Sequence, residues 1–146
     1  SVTGMRPRTS LRALLLATAA ISAACGDSTI TSPTPVTGDT MQLFSGTLAV
    51  RGSSFYSFTT AATGQVSITL ASLVPTPPGP ASNTVMGLGV GTPLETDCSV
   101  TNSVATAPGL TAQLVNSLAA GTYCARIYDL GGLTAPADFT VRIVHP

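Results

Sequence analysis

His145, a few carboxylates and seven aromatic rings are the side chains in this sequence from which a reactive or binding site could be assembled. The single imidazole stands beside Pro146. A nucleophilic or acid–base triad needs such a ring held in a rigid shell, and chain ends are commonly frayed. His145 is therefore expected to be an exposed terminal residue without a catalytic role. Metal-dependent hydrolysis fails for the same shortage of histidine. Glu95 and Asp97 lie two apart in Gly91-Thr-Pro-Leu-Glu-Thr-Asp-Cys98. With Asp129 or Asp138 folded beside them they would offer the oxygen ligands that calcium takes. A solvated loop for Glu95 and Asp97, and a turn for Asp129 ahead of Leu130-Gly-Gly, is the better supported reading. A glycosidase-like acid pair would also require a cleft and an acid kept protonated. No catalytic residue, resident metal or cofactor is expected.

The rings are Phe44, Phe55, Tyr56, Phe58, Tyr123, Tyr128 and Phe139. Several of them facing outward together would make a platform for stacking sugars. Alternation along the chain assigns Tyr56, Phe58, Tyr123 and Phe139 to a core. Phe55 and Tyr128 are left facing outward in the company of Arg126 and Arg142, and these four are the candidate ligand-binding residues. Charged residues make up 8% of the chain, against roughly 25% in an average globular protein, and lysine is absent. Six scattered arginines cannot form a basic stripe, which excludes a nucleic-acid partner.

The formal net charge of zero hides a split: Arg6, Arg8 and Arg12 open the chain, and every acidic residue follows Cys25. Met5 begins a three-part export signal. The arginines form its positive region, and Ala13 to Ile21 is a nine-residue apolar run. That run is far shorter than the roughly 20 residues a permanent membrane helix needs. Residues 1–4 read as upstream translated sequence and residues 5–24 as a signal peptide. Ile21-Ser-Ala-Ala-Cys25 resembles a bacterial lipobox, in which cleavage before the cysteine leaves its thiol to carry diacylglycerol. Ser22-x-Ala24 also suits an ordinary signal peptidase, which would release a secreted protein. The resemblance implies a membrane anchor at Cys25 and a place in the bacterial cell envelope. Gly26, where an aspartate would hold such a protein at the inner membrane, tilts the expectation toward the outer one.

Exported proteins rarely leave one thiol over, and the chain has three. Assigning Cys25 to lipid leaves Cys98 and Cys124, which an oxidising compartment would join in a disulfide; two buried free thiols are the alternative. Two cysteines and a distant His145 make no four-ligand zinc set.

Residues 25–40 hold two prolines and almost no large apolar side chains. Such a stretch cannot offset its ordering entropy by burial and is expected to be a flexible tether, or else a structured first loop. Residues 41–146 read as one domain built of strands. Tyr56-Ser-Phe58, Val66-Ser-Ile68-Thr-Leu70 and Phe139-Thr-Val141-Arg-Ile143 alternate at period two. Met41 to Val50 supplies one or two short strands, and Tyr123 to Tyr128 another. Met86-Gly-Leu88-Gly-Val90 alternates large residues with glycine, which suits a strand closely covered by neighbouring backbone or a bulged one. Thr111 to Ala120 reads as a short helix or as a strand and turn. Seven or eight short strands with frequent turns predict an all-β, two-sheet antiparallel sandwich.

Tyr56-x-Phe58, Gly64-x-Val66-x-Ile68-x-Leu70, Leu118-x-x-Gly121-Thr-Tyr123-Cys-x-Arg126 and Phe139-Thr-Val141-x-Ile143 resemble bacterial pre-peptidase C-terminal domains, over about Gly46 to Val144. The resemblance implies a jelly-roll sandwich acting as a non-catalytic accessory module in substrate or surface binding. No peptidase domain precedes it in this sequence, and Met86 to Val90 lacks the acidic residues often present on that family's central strand. The function expected is a lipid-anchored, extracytoplasmic binding, adhesive or structural role with a glycan or protein partner. A carbohydrate- or calcium-dependent binding module is the alternative.

Overall fold

The computed structural model describes residues 38–146. The signal peptide, the lipobox cysteine Cys25 and most of the proposed tether lie outside the described residues. Eight strands follow one another: β1 (Thr40–Leu48), β2 (Ser53–Thr60), β3 (Gly64–Pro75), β4 (Met86–Pro93), β5 (Cys98–Thr106), β6 (Leu114–Leu118), β7 (Gly121–Asp129) and β8 (Ala137–His145). They form two four-stranded sheets, β1-β8-β3-β6 (sheet 1) and β2-β7-β4-β5 (sheet 2), with every pair antiparallel. Only the β4–β5 connection stays within a sheet. All the others cross the sandwich, which is the connectivity of a jelly roll.

Period-two patterning builds the core. Phe44 and Leu48 of β1, Val66, Ile68 and Leu70 of β3, and Phe139, Val141 and Ile143 of β8 point inward from sheet 1. Phe58, Met86, Leu88, Val90, Ala125 and Ile127 meet them from sheet 2. The two open sides of the sandwich are closed by different means. On one, Phe44 of β1 stacks on Tyr56 of β2 with centroids 5.1 Å apart. On the other, Asn102 Nδ2 of β5 donates to Asn116 Oδ1 of β6 at 2.7 Å. Between β6 and β7 the Tyr123 hydroxyl donates back to the Ala119 carbonyl at 3.1 Å, bracing the corner where the chain changes sheets.

Three features depart from the sequence reading. β5 is a strand that periodicity did not reveal. It is an edge strand whose residues are mostly exposed, and its ladder with β4 slips at Val90/Gly91, so no alternation survives along it. Thr111 to Gln113 is neither helix nor strand. The Gln113 side chain stands in for a strand partner where β3 bulges: Leu70 N–H donates to Gln113 Oε1 at 2.7 Å, and Gln113 Nε2 donates to the Leu70 carbonyl at 3.3 Å. His145 corrects the expectation of an exposed terminal residue. It is the last residue of β8, pairs with Thr40, and lies 3% exposed with its ring 5.4 Å from that of Phe58. The ladder with β1 holds it in place, so fraying does not reach it.

Candidate functional site

The outer face of sheet 2 is organised by its central strand β4. Its inward residues Met86, Leu88 and Val90 fill the core, so Gly87, Gly89 and Gly91 face outward. Their cross-strand neighbours on β7 are Tyr128, Arg126 and Cys124. Each glycine admits something that a side chain would exclude. A Cβ on Gly87 would stand 2.2 Å from ring carbons of Tyr128, so the phenol ring rests directly on the strand. At Gly89 the space is taken by Val100, at 2.7 Å. At Gly91 it is taken by the Ser99 carbonyl oxygen, at 1.8 Å, where the bulge brings β5 across β4.

Arg126 lies beside the ring. Its guanidinium carbon is 5.9 Å from the Tyr128 centroid, its Nη1 is 3.2 Å from Asp97 Oδ1, and its Nη2 donates to Ser53 Oγ at 3.1 Å. The ion pair is partly exposed and contributes little to stability, about 1 kcal/mol at most. It fixes where the guanidinium sits. Phe55 of β2 is the cross-strand partner of Arg126 and is half-buried. Tyr128, Arg126 and Val100 line an open depression of about 300 Å³. The Cys98–Cys124 disulfide spans β5 and β7 on this side of the sheet.

Of the four residues singled out from the sequence, Phe55, Arg126 and Tyr128 share this face and Arg142 does not. Arg142 extends from the outer side of sheet 1, where its Nη2 donates to the Leu110 carbonyl at 2.9 Å. Alternation gives the side of a strand but not the sheet it joins, and β8 belongs to the other one.

The three calcium candidates do not assemble. Asp97 closes the β4–β5 turn, accepting from the Cys98 N–H at 2.8 Å while pairing with Arg126. Glu95 is exposed in that turn. Asp129 accepts four backbone N–H groups: Arg51 on Oδ2 at 2.7 Å, and Gly131, Gly132 and Leu133 on Oδ1 at 2.9, 2.9 and 3.2 Å. Among the described residues no three His, Cys, Asp or Glu side chains group as a metal site would require.

Partial burial works to raise the Asp129 pKa, but the four N–H donors outweigh it and hold the carboxyl below its usual value of 3.8. A carboxyl with a lowered folded-state pKa contributes stability above the unfolded value, and that contribution disappears as pH falls through the folded value. The thermal midpoint of Asp129→Asn is accordingly expected to lie below that of the native protein at pH 7. The gap should narrow as pH drops below about 4, measured by circular dichroism across a pH series.

A second concavity, of about 540 Å³, lies open on the outer face of sheet 1 and was not anticipated. Ser45, Thr47, Ser72, Asp138 and Thr140 line it. Its polar groups pair with one another, Ser45 with Thr140 at 3.1 Å and the Thr47 hydroxyl with Asp138. The alternating hydroxyls of Ser45-Gly-Thr47 were the available signal.

No family model and no curated protein sequence matches the chain. Two solved structures are similar to it over about three quarters of the chain. One is PliG of Aeromonas hydrophila, a periplasmic inhibitor of g-type lysozyme, at 13% identity and a TM-score of 0.48, covering 74% of this chain and 89% of that one. The other is the Yersinia pseudotuberculosis-derived mitogen, at 9% identity and a TM-score of 0.48, covering 74% of this chain and 87% of that one.

Proposed function

We infer that this chain is an exported, lipid-tethered sandwich that works by binding, with the outer face of sheet 2 as its contact surface. The observation that carries the reading is the Tyr128 ring resting against Gly87, with the Arg126–Asp97 pair at its margin. A flat ring offers a stacking surface to the apolar face of a sugar, and a fixed guanidinium and carboxylate offer a donor and an acceptor to its hydroxyls. The surrounding side chains supply neither a nucleophile beside a base nor a metal set. A glycan of the envelope or of another cell is therefore the ligand class proposed. The targeting pattern ending at Cys25 supports the location, and the disulfide suits an oxidising compartment.

Glycan arrays probed with the native protein, Tyr128→Ala and Gly87→Ala test the contact surface. Both variants are expected to fold and to bind at least tenfold more weakly. Truncating a central aromatic anchor costs about 2 kcal/mol or more, and alanine at Gly87 lifts the ring off the sheet. Chelating calcium is expected to change nothing. Array signals that survive both substitutions would sink the assignment of the face. Mass spectrometry of the mature protein tests the anchor: an acylated N-terminal Cys25 is expected, and an intact signal segment would overturn it.

A further inference from the structure

The opposite face of the sandwich carries a different surface. Strand parity sends Met41, Leu43, Val115 and Val144 outward from sheet 1. Met41, Val144, Ser67 and Val115 are successive cross-strand neighbours, so they form one row across all four strands. Leu43 and Arg142 stand opposite each other in the row two residues further along. Arg142 in turn holds the Leu110 carbonyl, which draws the loop before β6 over this face. Met41 is 60%, Leu43 58%, Val115 45% and Leu110 88% exposed. Large apolar side chains gathered on one flat face mark a contact surface.

The position of the face along the chain indicates its occupant. Met41 and Leu43 lie in the first residues of β1, and Thr40 is fifteen positions beyond Cys25. Fifteen residues reach at most about 50 Å even when fully extended, so an acyl group on Cys25 would keep β1 within that distance of the bilayer surface. Tethering makes the contact intramolecular, at an effective concentration of the order of millimolar, so a weak apolar patch suffices. Charge cannot supply the attraction. Residues 38–146 contain three arginines and five acidic residues, and Arg142 already spends a donor on Leu110.

We propose that the outer face of sheet 1, through Met41, Leu43, Leu110 and Val115, docks on the lipid bilayer to which the chain is tethered. The docking rests on the lipid-anchor reading above. It turns the outer face of sheet 2, on the far side of the sandwich, away from the membrane and toward a ligand.

The test uses the full mature chain, acylation confirmed by mass, reconstituted in phosphatidylethanolamine–phosphatidylglycerol vesicles with brominated acyl chains. An environment-sensitive fluorophore is placed by Leu43→Cys or Leu110→Cys, and on the opposite face by Thr59→Cys. All three positions are exposed, so the fold is expected to tolerate them. Probes at 43 and 110 should shift to the blue and be quenched at least threefold more than the probe at 59, with no loss in high salt. Equal quenching at all three positions on an acylated chain overturns the docking and leaves the anchor standing. An unacylated Cys25 removes the anchor and the docking with it. A blue shift at 43 that appears without vesicles and grows with protein concentration assigns the face to a second copy, and equally overturns the proposal.

Discussion

A Gly91→Ala protein is expected to lose roughly 12–24 °C of thermal midpoint, while Gly87→Ala loses only a few degrees. Both glycines face outward on β4, and helix or strand propensity would treat them alike. The difference lies in what occupies the missing side chain's place. At Gly87 it is the end of a tyrosine ring, which can rotate away. At Gly91 the atoms at 1.8, 2.6 and 2.7 Å are the Ser99 carbonyl oxygen and carbon and the Val100 Cα, all of them backbone. Overfilling packed structure costs typically 1–3 kcal/mol, and more where nothing can rotate aside. At about 3 kcal/mol, and roughly 4–8 °C per kcal/mol for a domain of this size, the shift follows. Relieving the contact would mean unpairing the bulge and with it the β4–β5 edge. Circular dichroism melts of the two variants decide the matter, and equal midpoints would refute the assignment of Gly91 to the bulge.

Removing the disulfide should be nearly as damaging. Cys98 and Cys124 are 26 positions apart, and the link encloses β6 and both crossings of the sandwich that flank it. In the chain-entropy account, opening a loop of this length costs about 3.5 kcal/mol, a large share of the roughly 5–15 kcal/mol that holds a typical domain together. Cys98→Ser with Cys124→Ser is expected to move the urea midpoint down by about 1–3 M, given an m of roughly 1–3 kcal/mol/M. The native protein in reductant should match it. A midpoint within error of the native one would mean that β5 is held by its ladder alone. A second effect follows on the outer face of sheet 2. Cys98 begins the edge strand and neighbours Asp97, so the doubly substituted protein should also hold Arg126 less firmly and weaken the proposed glycan binding.

Most of the fold could be read from the residues because burial has a period. β3 and β8 each bury one side, and their alternation is plain in Val66-x-Ile68-x-Leu70 and Phe139-x-Val141-x-Ile143, whereas on β2 Phe58 is buried but Tyr56, assigned to the core by the same alternation, is 38% exposed at the open edge. Glycine at every second position of β4 suited a strand closely covered by neighbouring backbone or a bulged one, and at Gly91 the Ser99 backbone covers the strand where the ladder slips. Where pairing is one-sided, the signal fades. β5 packs little apolar surface and shifts register part-way along, so its nine residues resemble a loop. Gln113 escaped notice because a side chain that imitates a peptide unit leaves no pattern in composition. Three of the residues singled out, Phe55, Arg126 and Tyr128, do share the outer face of sheet 2, because alternation places them on one side of neighbouring strands. The error at Arg142 and the burial of His145 come from one source: which sheet a strand joins, and which neighbour shields its end, are facts of long-range pairing. Local sequence does not encode them.

The pairing of β1 with β8 has a mechanical consequence. β1 is an edge strand held by one neighbour, and Thr40 lies against His145. Force drawn through the stretch before Thr40, in the direction of the strand, loads all nine cross-strand pairs at once, and they resist together. Drawn sideways, away from β8, the same force opens them one after another, like a zip. A protein held by its leading end and gripped by a bound ligand would thus be strong against drag along one axis and weak against lifting along the other.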